Sequence, residues 1–161
     1  MSAVIKAKGE HFDVDAFLHG CTLPVCSVYR RGQPIFRRAG PVHMSSGVHT
    51  VASDADFDQF ARQEAEATGF LRNHFEQLRR LRSFPGIESV TLHFGIDRRN
   101  VYIQCDSLSP ELVTLAGSLG LGISLSIYPG PHESPPDAEE DYPAASAARP
   151  RAISEDTRSA S

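Results

Sequence analysis

Residues 53–86 read SDADFDQFARQEAEATGFLRNHFEQLRRLRSFPG and form the longest helical pattern in the chain. Apolar residues recur at spacings of three or four on both sides of Thr68-Gly69, as on the buried side of an amphipathic helix. Glycine costs about 1 kcal/mol relative to alanine inside a helix, so this pair predicts a break. We therefore predict two helices, over residues 54–66 and 69–82, with one bent helix as the alternative.

Both ends of this stretch carry helix-boundary signals. Ser53 or Asp54 is a suitable N-cap. Asp56 and Asp58 follow in the first turn, where carboxylates favour the positive end of the helix dipole. The Phe-Pro-Gly sequence at 84–86 ends the pattern. The side expected to pack on a sheet contains Phe57, Phe60, Ala61, Ala65, Phe70, Leu71, His74, Phe75, Leu78 and Leu81.

Strand-like segments precede and follow these helices. The expected strands are residues 3–8, 25–31, 35–38, 47–52, 88–96, 101–105 and 121–128, and the expected short helices are residues 14–19 and 110–119. We expect segments 35–38 and 47–52 to form one antiparallel hairpin. Segments 88–96 and 101–105 should form a second. This order predicts an α+β fold, a two-layer sandwich with a mainly antiparallel sheet and helices on one face.

The composition changes near residue 129. Residues 130–161 are rich in proline, alanine, serine and acidic residues, so we predict one domain at 1–129 followed by a disordered tail. Residues 1–130 hold 13 Lys or Arg and 13 Asp or Glu, which leaves the net charge of −4 in the tail. A neutral body argues against non-specific nucleic-acid binding, which depends on phosphate neutralisation.

The first residues and the cysteines indicate a cytoplasmic protein. The chain begins MSAVIK, without the basic and then apolar pattern of a signal peptide. Its apolar runs are shorter than the roughly 18 residues of a membrane span, so we predict no membrane association. Cys21, Cys26 and Cys105 are odd in number and are expected to be reduced thiols.

Short motifs near both ends of the domain resemble those of the bacterial DUF4279 proteins. The motifs are Leu23-Pro24, Arg31-Gly32-Gln33, Ser109-Pro110-Glu111-Leu112, Leu119-Gly120 and Ser126-Ile127-Tyr128. The resemblance covers about residues 3–128, including the central helical stretch and the second hairpin. It implies a small α+β fold with no established activity and no catalytic residues to carry over. Domains that look like this occur among immunity proteins that sit beside bacterial toxins.

The cysteines and histidines offer a metal site as one candidate. Cys21, Cys26 and Cys105 with His11 or His19 would supply four ligands. The cysteine spacing is not the two-residue spacing of a zinc knuckle or a redox pair. We therefore predict no metal and no cofactor.

A thiol nucleophile is a second candidate. Cys105 would pair with His93 across the second hairpin, and Asp106 would orient the imidazole. The interpretation that we favour instead places His93 on the polar side of its strand and packs Cys105 in the core. On that interpretation the protein is not an enzyme.

Charged residues give two candidate binding sets. The arginine pairs Arg30-Arg31, Arg37-Arg38, Arg79-Arg80 and Arg98-Arg99 flank turns and element ends, and we expect solvated charges rather than one phosphate-binding patch. The acidic side chains that suit mimicry of phosphate are Glu10, Asp13, Asp15, Asp54, Asp56 and Asp58.

The function that these patterns favour is partner binding without catalysis. We expect a bacterial cytoplasmic protein-binding module and, more specifically, an immunity protein that neutralises a toxin. The residues expected to bind the partner are Asp54, Asp56, Asp58, Arg30, Arg31, Arg98 and Arg99. Two alternatives stay open: a thiol-dependent enzyme that uses Cys105 and His93, and a structural homodimer joined through an edge strand. The sequence therefore leaves monomer and homodimer open.

Overall fold

The computed structural model describes residues 2–35 and 40–129. In chain order its elements are β1 (Ala3–Gly9), α1 (Val14–Leu18), β2 (Val25–Tyr29), β3 (Ser46–Ser53), α2 (Phe60–Asn73), α3 (Phe75–Arg82), β4 (Ser89–Asp97), α4 (Pro110–Ser118) and β5 (Gly122–Tyr128). The expected strand at 35–38 lies mostly outside the described residues, as do Arg37, Arg38 and the expected tail at 130–161.

The five strands form one sheet in the order β2-β3-β1-β4-β5. The pairings β2–β3, β3–β1 and β1–β4 are antiparallel, and only β4–β5 is parallel. Two parallel neighbours need a crossover connection, which α4 supplies between β4 and β5. The predicted α+β fold with a mainly antiparallel sheet is confirmed.

The two faces of the sheet differ in side-chain chemistry because successive strand residues point to opposite sides. Ile5 of β1 and Leu92 and Phe94 of β4 are buried on one face. The helices cover that face and contribute the buried residues Phe17, Ala67, Leu71, Leu78, Leu81, Leu112 and Ala116. The opposite face, called the open face below, carries Lys6 of β1 and His93 of β4.

The central helix starts later than the sequence predicted. α2 begins at Phe60, and residues 54–59 form a loop. The Ser53 hydroxyl accepts from the backbone N–H of Ala55 at 3.2 Å and donates to Glu66 at 2.7 Å. Ser53 therefore does not cap α2 as predicted. Its hydroxyl instead binds the loop after β3 and connects that loop to Glu66 of α2.

The break between the two helices was also predicted at the wrong place. α2 runs through Thr68-Gly69, and the chain breaks at His74 instead. The Thr68 hydroxyl donates to the carbonyl of Glu64 at 2.8 Å, one turn back in the helix. Ala67 and Leu71 are fully buried on either side of Gly69. Their packing offsets the cost of one helical glycine, which is about 1 kcal/mol.

The buried side of α2 contains a glutamine that the apolar pattern missed. Gln63 is fully buried, whereas Ala61 and Ala65 are exposed. The Gln63 amide donates to the carbonyls of Asp56 at 2.8 Å and Gly95 at 3.0 Å. A buried amide is tolerated where its donors find acceptors. Gln63 thus connects α2 to both the preceding loop and β4.

The second predicted hairpin is wrong. Residues 101–105 form no strand, because β4 already has β1 on one side and β5 on the other. They belong to a connection that is folded back on itself. The Gln104 side chain accepts from the N–H of Arg99 at 3.0 Å and donates to the carbonyl of Asp97 at 3.2 Å.

Candidate functional site

The loop at residues 54–59 places three predicted binding residues together at one end of the sheet. Asp54, Asp56 and Asp58 are all exposed. Asp97 lies beside them because β4 ends where this loop begins, and its N–H donates to the carbonyl of Phe57 at 3.0 Å. A depression of about 460 Å³ is lined by Ala55, Asp56, Phe57, Asp58 and Asp97. The structure therefore joins a fourth carboxylate to the predicted three.

Two stacked aromatic rings adjoin these carboxylates. The rings of Phe57 and Tyr128 lie 5.3 Å apart, at 13° to each other, and both side chains are exposed. The stack covers Gly95 of β4. A Cβ atom on that glycine would lie 3.2 Å from the Tyr128 ring and 3.3 Å from the Phe57 ring. A side chain at this position would therefore make the two rings give way by a few tenths of an ångström.

An apolar loop tip lies at the same end of the sheet. Val101 and Ile103 are 55% and 69% exposed, and Tyr102 between them is fully exposed. The tip follows directly on β4, with only residues 98–100 between. Exposed apolar clusters rimmed by polar groups mark interaction sites. We call the set of Asp54, Asp56, Phe57, Asp58, Asp97, Val101, Tyr102, Ile103 and Tyr128 the acidic–aromatic end.

The predicted arginines are divided between the two ends of the sheet. The Arg30 guanidinium forms two hydrogen bonds with Asp15, at 2.9 and 2.5 Å, and Arg31 lies 2.9 Å from Glu10. The bond from Arg30 lowers the pKa of Asp15. These groups lie near the ends of β1 and β2, opposite the acidic–aromatic end.

Arg98 and Arg99 belong to the acidic–aromatic side of the molecule. The Arg99 guanidinium donates to the carbonyl of Cys105 at 2.9 Å and to Asp106 at 2.7 Å. The backbone N–H of Arg98 donates to the carbonyl of Tyr128 at 2.8 Å. The structure thus places Asp58 near Arg99, and Arg98 at the same end of the sheet. It does not bring Arg30 and Arg31 to the same place.

The proposed thiol pair is separated by the sheet. Cys105 is exposed and lines a depression of about 560 Å³ beside Phe60, Ala61 and Glu64 of the helix layer. His93 faces the open side, as we expected, and its Nδ1 lies 3.0 Å from the Ser124 hydroxyl. The expectation that Cys105 packs in the core is wrong, because residues 101–105 are not part of the sheet.

The open face holds a second constellation that the sequence reasoning missed. A depression of about 290 Å³ is lined by Lys6, Lys8, Tyr29, His49, Ser89, Thr91, His93 and Ser124. Burial lowers the pKa of His49 and of His93, and the charge of Lys6 lowers both further. Burial also raises the pKa of Tyr29. The sequence did contain a hint of this constellation: polar residues alternate with apolar ones in the three segments IKAK, VHTV and VTLHF.

Residues 2–35 and 40–129 contain neither a metal-binding cluster nor a membrane-spanning helix. No group of three or more His, Cys, Asp or Glu side chains in those ranges is placed to hold a metal ion. Within the same ranges, no helix is long and apolar enough to cross a membrane.

The protein is a small α+β domain whose mixed five-stranded sheet is covered by helices on one face. Comparisons with protein-family models, curated proteins and solved structures found no match to the chain. The resemblance to the DUF4279 proteins therefore stays a prediction.

Proposed function

We propose that this protein is a non-catalytic, cytoplasmic binding module that recognises a basic partner protein through its acidic–aromatic end. The observation that carries the proposal is that four carboxylates, a stacked aromatic pair and the exposed apolar tip at 101–103, which follows β4, all lie at one end of the sheet. Protein interfaces combine an apolar, aromatic-rich centre with a polar rim. Tyrosine is among the residues that contribute most to such interfaces. Tyr102, Phe57 and Tyr128 would supply the centre and the aspartates the rim.

Charge complementarity supports a basic partner. Asp54, Asp56 and Asp58 are spaced by two residues in an exposed loop, so three negative charges occupy one short segment. Such an arrangement accelerates encounter with a positively charged surface. A toxin that acts on nucleic acid needs a basic surface to bind phosphates. An immunity protein that covers such a surface is the specific form of the function that we propose.

Capture from native-cell lysate, with matched variants, tests this function. The variant Asp54→Asn/Asp56→Asn/Asp58→Asn removes three of the four rim charges, and Tyr102→Ser removes the most exposed of the three central aromatic rings. The control Glu10→Gln/Glu76→Gln/Glu111→Gln removes the same formal charge from exposed ion pairs elsewhere. We expect one basic protein to be captured by the wild type and the control. Each of the other two variants should bind it about tenfold more weakly, or worse, since hot-spot truncation costs more than about 1 kcal/mol.

Equal binding by all variants would place the partner elsewhere and overturn the assignment of the acidic–aromatic end. Absence of any partner from the wild-type eluate would argue against the binding function itself. Once the partner is identified, its affinity for the wild type should fall as salt is added, because the rim charges are exposed and screened.

A second copy of the chain is the other candidate partner. β5 is an edge strand of the sheet, and its Leu125 and Ile127 are exposed. Unpaired edges are templates for strand pairing between chains. Light scattering over a range of protein concentrations distinguishes this structural role, because a homodimer would show twice the monomer mass.

A further inference from the structure

Both lysines of the chain lie on the open face of the sheet. Lys6 and Lys8 occupy alternate positions of β1, and both line the same depression as His49 and His93. Among residues 2–35 and 40–129, no carboxylate forms an ion pair with either lysine. Four groups that are or become cationic therefore share one concave surface without an internal counter-ion.

The register of the sheet fixes these groups next to one another. Lys6 pairs directly with His49 of β3 on one side and with Thr91 of β4 on the other. His93 is the next residue of β4 on the same face. Directly opposite side chains in an antiparallel pair have Cβ atoms about 4.5–5.5 Å apart. The spacing is set by the central strands of the sheet and not by loops, so the cluster is pre-organised.

Hydroxyl groups complete the set of polar contacts. Ser124 of β5 pairs with His93 across the parallel ladder, and its hydroxyl lies 3.0 Å from His93 Nδ1. This contact holds the imidazole in place and leaves Nε2 for a ligand. Thr91 and Ser89 bring two further hydroxyls to the same depression.

One wall of the depression is the Tyr29 ring. Gly47 of β3 lies under that ring, and a Cβ atom there would lie 2.4 Å from Tyr29 Cζ. The ring stacks on His43 at 4.5 Å and meets His49 edge-on at 5.6 Å. Glycine at position 47 thus lets the aromatic wall lie close against the sheet. The depression, of about 290 Å³, matches the size of a small ligand.

We propose that the open face is a binding site for the phosphate group of a small soluble phosphate monoester. Phosphate carries close to two negative charges near neutral pH and offers three strong acceptor oxygens. Two ammonium groups, two imidazoles and the hydroxyls of Thr91 and Ser124 match that charge and that number of acceptors. A carboxylate, with one charge and two oxygens, would leave several of these donors unused. The site is separate from the acidic–aromatic end and does not depend on it.

Proton uptake should accompany binding. His49 and His93 resist protonation because they are partly buried and face Lys6, and Lys8, Tyr29 and Ser124 are their other polar neighbours. An anion placed among them reverses the electrostatic penalty and favours the imidazolium forms. Binding should therefore tighten as the pH falls through the pKa values of the two histidines.

Titration of the full chain with inorganic phosphate and glycerol phosphate, followed by amide and imidazole NMR shifts, tests the site. We expect saturable shifts at Lys6, Thr91, His93 and Ser124. Lys6→Gln and Lys8→Gln should each weaken binding about tenfold, the effect of losing one charge-assisted hydrogen bond. Arg79→Gln, which removes a cation from the helix layer, should bind like the wild type. Matching unfolding midpoints would show that both lysine variants are folded.

Titration with sulfate separates the effect of histidine protonation from that of ligand protonation, because sulfate stays dianionic across the pH range in which phosphate changes charge. Its affinity should rise as the pH falls from about 7.5 through the lowered pKa values of the two histidines, and His49→Gln/His93→Gln should lose this dependence. An unsaturable response, the same response to chloride at equal ionic strength, or wild-type affinity in Lys6→Gln would overturn the proposal. Neutralising Asp137, Glu139, Glu140 and Asp141 should leave the phosphate affinity unchanged. A large rise would reassign the site to that acidic segment.

Discussion

Gly95 shapes the surface through the side chain that it lacks. Its neighbours on the open face are the Phe57 and Tyr128 rings, which would lie 3.3 and 3.2 Å from an added Cβ atom. These contacts are too close for the stack to stay where it is. The stack belongs to the acidic–aromatic end, so a Cβ atom at this one position of β4 would shift two exposed rings by a few tenths of an ångström.

We expect Gly95→Ala to stabilise the protein less than a Gly→Ala substitution with open space around the Cβ atom, because the two rings must first give way by a few tenths of an ångström. Gly69→Ala is the matched substitution, because nothing lies within 4 Å of a Cβ atom at that helical position. It should raise the free energy of unfolding by about 0.5–1 kcal/mol through helix propensity. Urea unfolding measures both. Equal effects of the two substitutions would contradict the packing of the rings on Gly95.

Lys6 acts on two histidines at once. Its charge contributes to the lowered pKa of His49 on one neighbouring strand and of His93 on the other, after the larger effect of burial. We expect Lys6→Met to raise both pKa values while leaving them below the ordinary value, since burial remains. Lys8→Met should change them less. Histidine NMR titration measures the shifts, and unchanged values in Lys6→Met would refute the electrostatic coupling.

The sign of the associated pH dependence follows from the direction of these pKa changes. Below the ordinary histidine pKa of about 6.5, the unfolded chain binds protons that the folded chain does not yet bind. The free energy of unfolding should therefore fall as the pH drops from about 6.5 toward the folded-state pKa values. Above that range the two histidines contribute no pH dependence.

The short helices show which elements are predictable from sequence. α1 and α4 were expected at residues 14–19 and 110–119, and each ends one residue earlier in the structure. The N-cap residues that predicted these helices form the expected capping hydrogen bonds in the structure. The carboxylate of Asp13 accepts from the N–H of Ala16 at 3.0 Å, and the hydroxyl of Ser109 accepts from that of Leu112 at 3.2 Å. A cap that acts within three residues can be recognised without knowledge of the fold.

The start of α2 depended instead on distant contacts. The aspartates before it resemble a first helical turn, yet residues 54–59 form a loop. The Gln63 amide holds that loop through the carbonyl of Asp56 and also reaches β4, 32 positions away at Gly95. A contact between residues so far apart cannot be predicted from the local sequence. A glutamine within an apolar pattern is normally predicted to face solvent.

The candidate sites also differ in whether their residues are close in sequence or are brought together only by the fold. Asp54, Asp56 and Asp58 are close in sequence, and their shared exposure was predictable. Asp97 joins them only because β3 and β4 end at the same side of the sheet. The cluster of Lys6, His49 and His93 spans three strands whose order is not the chain order. Strand order and register are non-local properties, so this cluster required the structure.

At the scale of the whole molecule, the two candidate surfaces differ in the charged groups that they present. The acidic–aromatic end lies at one end of the sheet, and the lysines lie on its open face. Residues 1–130 carry as many basic as acidic side chains. A domain whose charges balance can thus offer two surfaces of opposite preference, one for a basic protein and one for an anion.

The described core is complete before the acidic segment of the chain begins. Its buried apolar residues run from Ala3 to Leu121, and β5 ends at Tyr128. We therefore expect a chain ending at residue 129 to unfold in urea with the same midpoint and slope as the full chain. The slope reports the surface exposed on unfolding, so it would detect any structure lost with residues 130–161.

A chain ending at residue 121 is the matched comparison for that measurement. It removes β5, which pairs with β4 along seven residues and holds the partly buried Ile123 against the core. Loss of this strand leaves β4 as an unpaired edge and uncovers apolar surface, which costs about 25 cal/mol per Å². We expect the shorter chain to be unfolded or aggregated. A midpoint that falls already in the chain ending at 129 would show that residues 130–161 stabilise the domain, and their interaction with the open face would then be the first contact to examine.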